Sequence, residues 1–379
     1  MPELEIVPAD TGRARREFLE LPYQLYARDP VWVAPLIGDQ KRMLNRRKHP
    51  FYQHAEIQTF LARRGRECTG RIAAIVDRLA AEDSGRRVGN FGFFESVDDV
   101  ETASRLVDGA RAWLRERGMH LMRGPVNPSY NYGGSVLVEG FTDPPAIGVP
   151  YNPPYYDRLL TRSGLHAFKD FQGFRLSRDD LQKAQTLAGR FGAASSGARL
   201  RPFDRANWER EVQLIHELHS RGFTRNFDFA PLSLDEVREI SRDIKRYGDE
   251  HFVQFCEVEG RAAGLVIALP DWNQALRLAH GRLFPLGWWR IWRASRAINR
   301  IRIFLVLMAP EWQGTGLAGA FLSLVDQPGA KQYTDVDATW VVEGHPIMFR
   351  LLAMLGARSI RRYRVYEGDV AGPGVGGRA

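Results

Sequence analysis

The chain has 379 residues, 44% of them hydrophobic and 26% charged, and carries a net charge of +8 at pH 7. That length accommodates two domains, each able to bury a core. No apolar run reaches the ~18–20 residues needed to span a bilayer, and the acidic start Met-Pro-Glu-Leu-Glu has no signal-peptide core, so a soluble, cytoplasmic protein is expected. Cys68 and Cys256 sit in strand-like runs without ligand spacing, and the histidines are dispersed; both cysteines read as packing residues, with no disulfide framework and no metal site. The excess charge is mostly Arg. It fits a solvated surface, an anionic membrane, a nucleic acid or a polyanionic ligand, and bulk charge does not choose among them.

Residues 10–50 read as helices and turns, with an amphipathic stretch from Arg16 to Leu25 and a basic segment from Lys41 to Lys48. From Ala55 the pattern becomes a hairpin: Ile57 to Ala62, a Gly65-Arg66 turn, then Gly70 to Val76. A strand from Val88 to Phe94 leads into a helix from Val100 to Arg117, apolar at 103, 106, 107, 110, 113 and 114. The same order recurs downstream. Helical patterns at Trp208–Leu218 and Leu234–Tyr247 precede strands at His251–Glu257 and Gly264–Leu269, with a Gly260-Arg261 turn between them. The strand Ile301–Leu307, a glycine turn, a small-residue helix to Val325, the strand Ala338–Val342 and the helix Ile347–Leu355 follow.

Two late segments align without a gap. In Asn152–Gly164 and Gly344–Gly356, the residues Pro154, Arg158, Leu159, Leu160 and Gly164 match Pro346, Arg350, Leu351, Leu352 and Gly356. Gly70 precedes Gly164 by 94 residues, and Gly264 precedes Gly356 by 92. An internal duplication follows: an α+β protein of two tandem units, 1–176 and 202–379, joined by a linker at 177–201 that contains Ala-Ala-Ser-Ser-Gly-Ala.

Only the second unit carries Gln313-Gly314-Thr315-Gly316-Leu317-Ala318, between an apolar strand and a helix pattern. Glycines there let backbone N–H groups approach a ligand, and a helix start adds partial positive charge, a combination suited to a diphosphate. At the corresponding place the first unit has Phe94 to Asp99, with carboxylates at Glu95, Asp98 and Asp99 that would repel one.

The spacing Gln-x-x-Gly-x-Ala resembles the pyrophosphate signature of the GNAT acyltransferases, which implies two tandem GNAT-like domains, the first lacking the pyrophosphate-binding loop. Further words carry the resemblance to the tandem GNAT family that includes the bacterial ceramide synthases: Asn127-Pro-Ser129, Leu137 to Phe141, Tyr151 to Tyr156, Asp271-Trp-Asn273 and Gly281-Arg-Leu-x-Pro285. It covers about residues 20–368. The resemblance implies an acyl-CoA donor held by Gln313 to Ala318, a thioester carbonyl bonded by backbone N–H in the stretch Val306, Leu307 and Met308, and an amine acceptor such as a sphingoid base. Glu343 matches an acidic residue of the family, His345 replaces the usual Asn, and Leu352 stands where many members have a Tyr acid.

Glu343 and His345 are therefore the expected proton-transfer residues, lying where a strand ends and the next helix begins; a helix-end hydrogen bond is the competing role for His345. Asn127, Ser129, Asn152, Tyr155 and Tyr156 are candidate acceptor contacts, against the alternative of local turn chemistry. Asp271, Asn273 and His280 are further polar candidates. The segment Leu283–Arg300 places Trp288, Ile291 and Trp292 on one helix side and Trp289, Arg293, Arg296 and Arg300 largely on the other. Such a helix suits an anionic membrane surface at the inner face of a membrane, or a lid over an acyl chain; packing between the units is the alternative. Open beside the lipid reading stand transfer from aminoacyl-tRNA and acetyl transfer to a soluble amine. Nucleic acid is not the expected partner.

Overall fold

A computed structural model describes residues 2–191, 197–222, 230–344 and 346–371. It resolves into two compact units, and neither is a continuous piece of chain: the first comprises 1–170, 279–287 and 361–379, the second 171–278 and 288–360.

In the first unit the elements are β1 (Leu4–Pro8), α1 (Gly12–Leu25), α2 (Ile37–Met43), β2 (Ala55–Arg64), β3 (Glu67–Asp77), β4 (Val88–Ser96), α3 (Val100–Glu116), β5 (Leu121–Val126), β6 (Val136–Glu139) and α4 (Tyr156–Arg162). The sheet order is β1-β2-β3-β4-β5, closed by the chain's last strand; β4 and β5 are its one parallel pair among the described residues. Strand alternation sorts the core. Ile72, Ala74 and Val76 of β3 face Ala103, Leu106, Val107 and Ala110 of α3, whereas Ala73 and Ile75 belong to the layer under Ala14 and Phe18 of α1. α1 and α3 each start on a side-chain cap: Thr11 accepts from the N–H of Ala14, and Asp99 from that of Thr102.

The second unit contains β7 (His166–Ser177) from Phe171 onward, α5 (Arg178–Phe191), β8 (Ala198–Pro202), α6 (Trp208–Gly222), α7 (Leu234–Tyr247), β9 (Val253–Val258), β10 (Arg261–Pro270), α8 (Asn273–Leu276), α9 (Gly287–Ser295) from Trp288, β11 (Arg300–Met308), β12 (Asp335–Val342) and α10 (Pro346–Met354). Its order is β8-β9-β10-β11-β12-β7, again with one parallel pair among the described residues, β11 with β12. Val212, Ile215 and Leu218 of α6 and Val237 and Ile244 of α7 cover one face, on Val253, Phe255, Leu265 and Leu307. Ser233 and Glu236 start α7 with a reciprocal capping box.

The duplication is thus seen in strand order, in the single parallel pair, and in the left-handed glycines Gly164 and Gly356 that follow α4 and α10. The partition differs from a cut in sequence. The first unit takes its closing strand from β13 (Arg358–Asp369), which pairs β5 through Tyr366↔Gly124 and Asp369↔Leu121. The second takes β7, paired with β12 through Asp335↔Ser177. The expected linker 177–201 carries α5 and the start of β8, because Asp180 accepts from both the N–H and the hydroxyl of Ser177 and starts a helix there; Ala193 to Ser196 lie outside the described residues.

His219 of α6 is buried with Val212 and Leu218, and burial, aided by the neighbouring charge of His216, pulls its pKa from 6.5 down to about 4. The folded state therefore disfavours the imidazolium. Above pH 6.5 this stabilising difference is intact; as pH falls from 6.5 to 4 the unfolded chain gains the proton first and stability declines, by at most about 3 kcal/mol. Urea unfolding at pH 7 and pH 4.5 should show that decline, and His219→Gln should flatten it.

Candidate active site

β11 and β12 are paired only from Arg300↔Asp335 to Ile303↔Ala338. Beyond that no ladder joins them, although β11 stays paired with β10 to Met308. Phe304 is the extra residue of a bulge against β10, and Trp340, at φ +75°, is the corresponding irregularity in β12 against β7. The two strands splay, so alternate N–H groups of β11 lose their β12 partners. Phe304 and Val306 are partly exposed there, whereas Leu307 and Met308 are buried. A backbone donor near Val306 fits the expected carbonyl contact; Leu307 and Met308 offer backbone only, their side chains being core.

At the end of β11 lies the glycine turn. Gly314 and Gly316 have φ of +78° and +82°, and a Cβ on either would meet nothing within 4 Å. Their glycine requirement is conformational, and the space above them is open. Gln313 is anchored through Nε2 to the carbonyl of Met308 at 3.1 Å, and the Thr315 hydroxyl donates to that of Trp312 at 2.8 Å. The N–H groups of Gly314, Gly316 and Ala318 find no protein acceptor among the described residues. Leu317 and Phe321 lock the turn onto Val266 and Met308 of the sheet. The α-helix expected after the turn is instead a 3-10 helix, Leu317–Asp326. Gly316 at its N-cap offers no side chain, Gly319 weakens helix propensity, and the Ser323 hydroxyl bonds back to the carbonyl of Ala320. The turn would offer an anion free N–H groups more than an α-helix dipole.

Glu343 follows β12, exposed, and its carboxylate accepts from Gln172 Nε2 at 3.5 Å. It thus stands at the C-terminal end of one splayed strand as the glycine turn stands at the end of the other. His345 lies outside the described residues. Leu352 is core, packed with Phe174, Ile301 and Val336.

Several polar candidates are committed to structure. Asp271 is fully buried and forks onto Arg300, at 2.7 Å to Nε and 2.5 Å to Nη2. Its pairing removes Arg300 from the basic helix face expected for it, since Arg300 begins β11. Asn273 opens α8, with its N–H on Asp271 at 3.2 Å, and His280 is exposed in a left-handed turn. In the first unit Asn152 is consumed by β6: its Oδ1 accepts from Leu137 N–H at 2.7 Å and its Nδ2 donates to the Leu137 carbonyl. Ser129 is buried with an unpaired hydroxyl among the described residues. Tyr155 donates to the Ser96 carbonyl, while Tyr156 and Tyr26 both bond Glu95, at 2.7 and 2.5 Å, opposite Arg71 at 3.5 Å. Burial raises the carboxyl pKa of Glu95 and pushes both phenols well above their ordinary value.

The corresponding place in the first unit is closed, in part by Asn127. Its Oδ1 takes the N–H of Phe93 at 2.7 Å, where β4 and β5 begin to separate. Gly92 is so close to β5 that a Cβ would fall 1.6 Å from the Val126 carbonyl oxygen. This gap is filled, and Asp99, in place of a glycine turn, caps α3.

Sequence reasoning missed a charged cluster in the second unit: Arg302 of β11 is in register with Asp337 of β12, both buried, with Arg175 of β7 3.9 Å from the carboxylate and Thr339 donating to it. The Arg302 guanidinium covers Phe304 at 4.0 Å, and the buried Trp340 Nε1 has no partner among the described residues. Charges at alternate positions of two apolar strands were the available signal. Among the described residues no group of three or more His, Cys, Asp or Glu side chains could hold a metal, and no helix is long and apolar enough to cross a membrane.

Two units of this topology, one with a splayed strand pair ending in an open glycine turn, define a tandem GNAT-fold N-acyltransferase. The chain is 31% identical over 376 residues to the bacterial ceramide synthase of Caulobacter vibrioides, covering 96% of this chain and 97% of that one, and it belongs to that family. It is also 27% identical to Protein YghO of Escherichia coli, over 94% of this chain and 93% of that protein. Among solved structures, a tandem GNAT protein from the clavulanic acid biosynthesis pathway superposes with a TM-score of 0.55 at 14% identity, over 98% of this chain and all of that one. No family model matches.

Proposed function

We propose that the protein transfers a long-chain acyl group from coenzyme A to the amine of a sphingoid base. The observation that carries the transferase chemistry is the open, glycine-lined turn at the end of the splayed β11. Gln313 to Ala318 would hold the diphosphate, which places the thioester toward the gap between β11 and β12. A β11 N–H near Val306 bonds the thioester oxygen as negative charge develops there. The amine nitrogen attacks the acyl carbon, the C–S bond breaks, and Glu343 takes the ammonium proton directly or through water; the thiolate leaves and is protonated by water or by His345. The sphingoid acceptor is supported by the name of the Caulobacter relative, similar over nearly the full length.

A lipid acceptor needs contact with a membrane, and α9 supplies a surface for it. Trp288 and Trp292 are 54% and 53% exposed, Ile291 turns inward onto the core, and the Arg296 guanidinium covers Trp292 at 4.4 Å. Phe284 and Leu286, just before the helix in the chain, are also exposed. Exposed Trp beside Arg suits an anionic interface, and attachment there would make the protein peripheral to the inner membrane. Trp288→Ala with Trp292→Ala should weaken flotation with phosphatidylglycerol vesicles at least fivefold while leaving the melting temperature within ~2 °C. Unchanged flotation removes the lipid role of α9.

The activity itself is tested by mass spectrometry of lipids formed from palmitoyl-CoA or acetyl-CoA with a sphingoid base, with free thiol followed in parallel. An N-palmitoyl product, with acetyl-CoA inert, is expected. Thiol release from acetyl-CoA alone would overturn the long-chain reading in favour of a soluble acceptor, and silence from both donors would overturn acyl-CoA dependence.

A further inference from the structure

The basic segment Lys41–Lys48 takes no part in the transfer chemistry, yet it forms one wall of a cavity of about 910 Å³ in the first unit. That volume lies within the ~300–1,000 Å³ of small-molecule sites. α1 contributes Arg15, Arg16 and Leu19, at spacings that share one helix face, while Ala14 and Phe18 point toward the sheet core. Ile37 and Lys41 of α2, with Leu44 just beyond it, form the second wall, and Ile57 and Thr59 of β2, on the same strand face, form the floor.

Charge is one-sided in this lining. Six cations border the cavity and one carboxylate, Glu20, which Arg16 holds at 3.0 Å. Arg46 leans on the Thr59 hydroxyl at 3.3 Å and reaches Asp10 only at 3.8 Å. Among the described residues the side chains of Arg15, Lys41 and Arg47 meet no acid. Folding alone gives no reason to gather so many unneutralised cations, since like charges repel and raise the energy of the compact state. Behind them the cavity is lined by Phe18, Leu19, Ile37, Leu44 and Ile57. A cationic mouth over an apolar floor matches a molecule with an anionic head and an aliphatic tail, the cations taking the head by charge-assisted hydrogen bonds and the floor taking the tail by apolar burial.

We propose that this cavity is a binding site for an amphiphile with a phosphate head and an aliphatic tail, separate from the glycine turn of the second unit. Such a head belongs either to a membrane phospholipid or to a soluble single-chain phosphate.

Isothermal titration with monomeric dioctanoylphosphatidylglycerol tests it, using the full chain carrying Gly316→Glu so that the glycine turn adds nothing. One saturable site is expected, with affinity at least tenfold above that for dioctanoylphosphatidylcholine or inorganic phosphate. Lys41→Glu with Arg47→Glu, at two side chains without acidic partners, should weaken it a further tenfold or more. Gly12→Trp should block it by filling the mouth, since a Cβ there meets nothing within 4 Å; melting temperatures check that these variants fold. Octyl phosphate separates the sources: binding as tight as the diacyl lipid assigns a soluble phosphate, and tenfold weaker binding assigns the phospholipid, both in support of the site. Equal affinity for phosphatidylcholine, equal affinity for inorganic phosphate, or indifference to the charge reversal would each overturn the proposal.

Discussion

Gly316→Glu is expected to abolish coenzyme A binding, with a loss of at least 100-fold in affinity and no detectable turnover. Two effects combine. The left-handed φ of +82° strains any residue with a Cβ, at a cost of about 1–2 kcal/mol. The carboxylate then occupies the open space above the turn, where the diphosphate would accept from the N–H groups of Gly314, Gly316 and Ala318. Gly316→Ala separates the two: it carries the strain without the charge and, with no atom near its Cβ, should lose less than about tenfold. Because the turn is anchored by Leu317 and Phe321 on the sheet, both variants should keep the wild-type circular dichroism spectrum. Titration with coenzyme A, followed by calorimetry, decides. Equal affinity in the Glu variant and the wild type would remove the glycine turn from the donor site, whatever the fold.

The legible part of this structure was the part written in short-range pattern. The hairpin turns at Gly65 and Gly260, the alternation through β3 and β10, and the periodic apolar face of α3 depend on residues a few positions apart, so one sequence suffices to read them. The exchange of closing strands did not have that property. β7 and β13 are alike in length and position within their copies, and only tertiary packing of residues such as Tyr363, Val365 and Tyr366, all fully buried, distinguishes which unit takes which strand. The candidate site divided along the same line. Gly314 and Gly316 were readable because φ near +80° selects glycine directly. Asn127, Asn152, Tyr156 and Asp271 each bond a neighbour within the fold, and in sequence a polar side chain so bonded looks the same as one awaiting a ligand. Arg302 and Asp337 were missed for the opposite reason: their pairing is cross-strand, and register is not visible in either strand alone.

Glu343→Gln should lower kcat by about 100-fold or more, the usual range for loss of a general base, while the affinity for coenzyme A stays within twofold because residue 343 follows β12 and the glycine turn follows β11. The amide keeps the shape of the side chain and its contact with Gln172, so a purely structural role predicts little change. The pH profile sharpens this. A general base that removes the ammonium proton matters most where the acceptor amine is charged; raising the pH deprotonates the free amine and makes the base dispensable. The deficit of the Gln variant should therefore shrink as pH rises from 7 to 10, whereas a deficit from lost positioning would persist unchanged. His345→Ala, measured in the same series, tests proton return to the thiolate, and its effect should be larger for acceptors that react quickly. A kcat within threefold of wild type in the Glu343→Gln protein would take this carboxylate out of the reaction and leave water in the open splay to accept the proton.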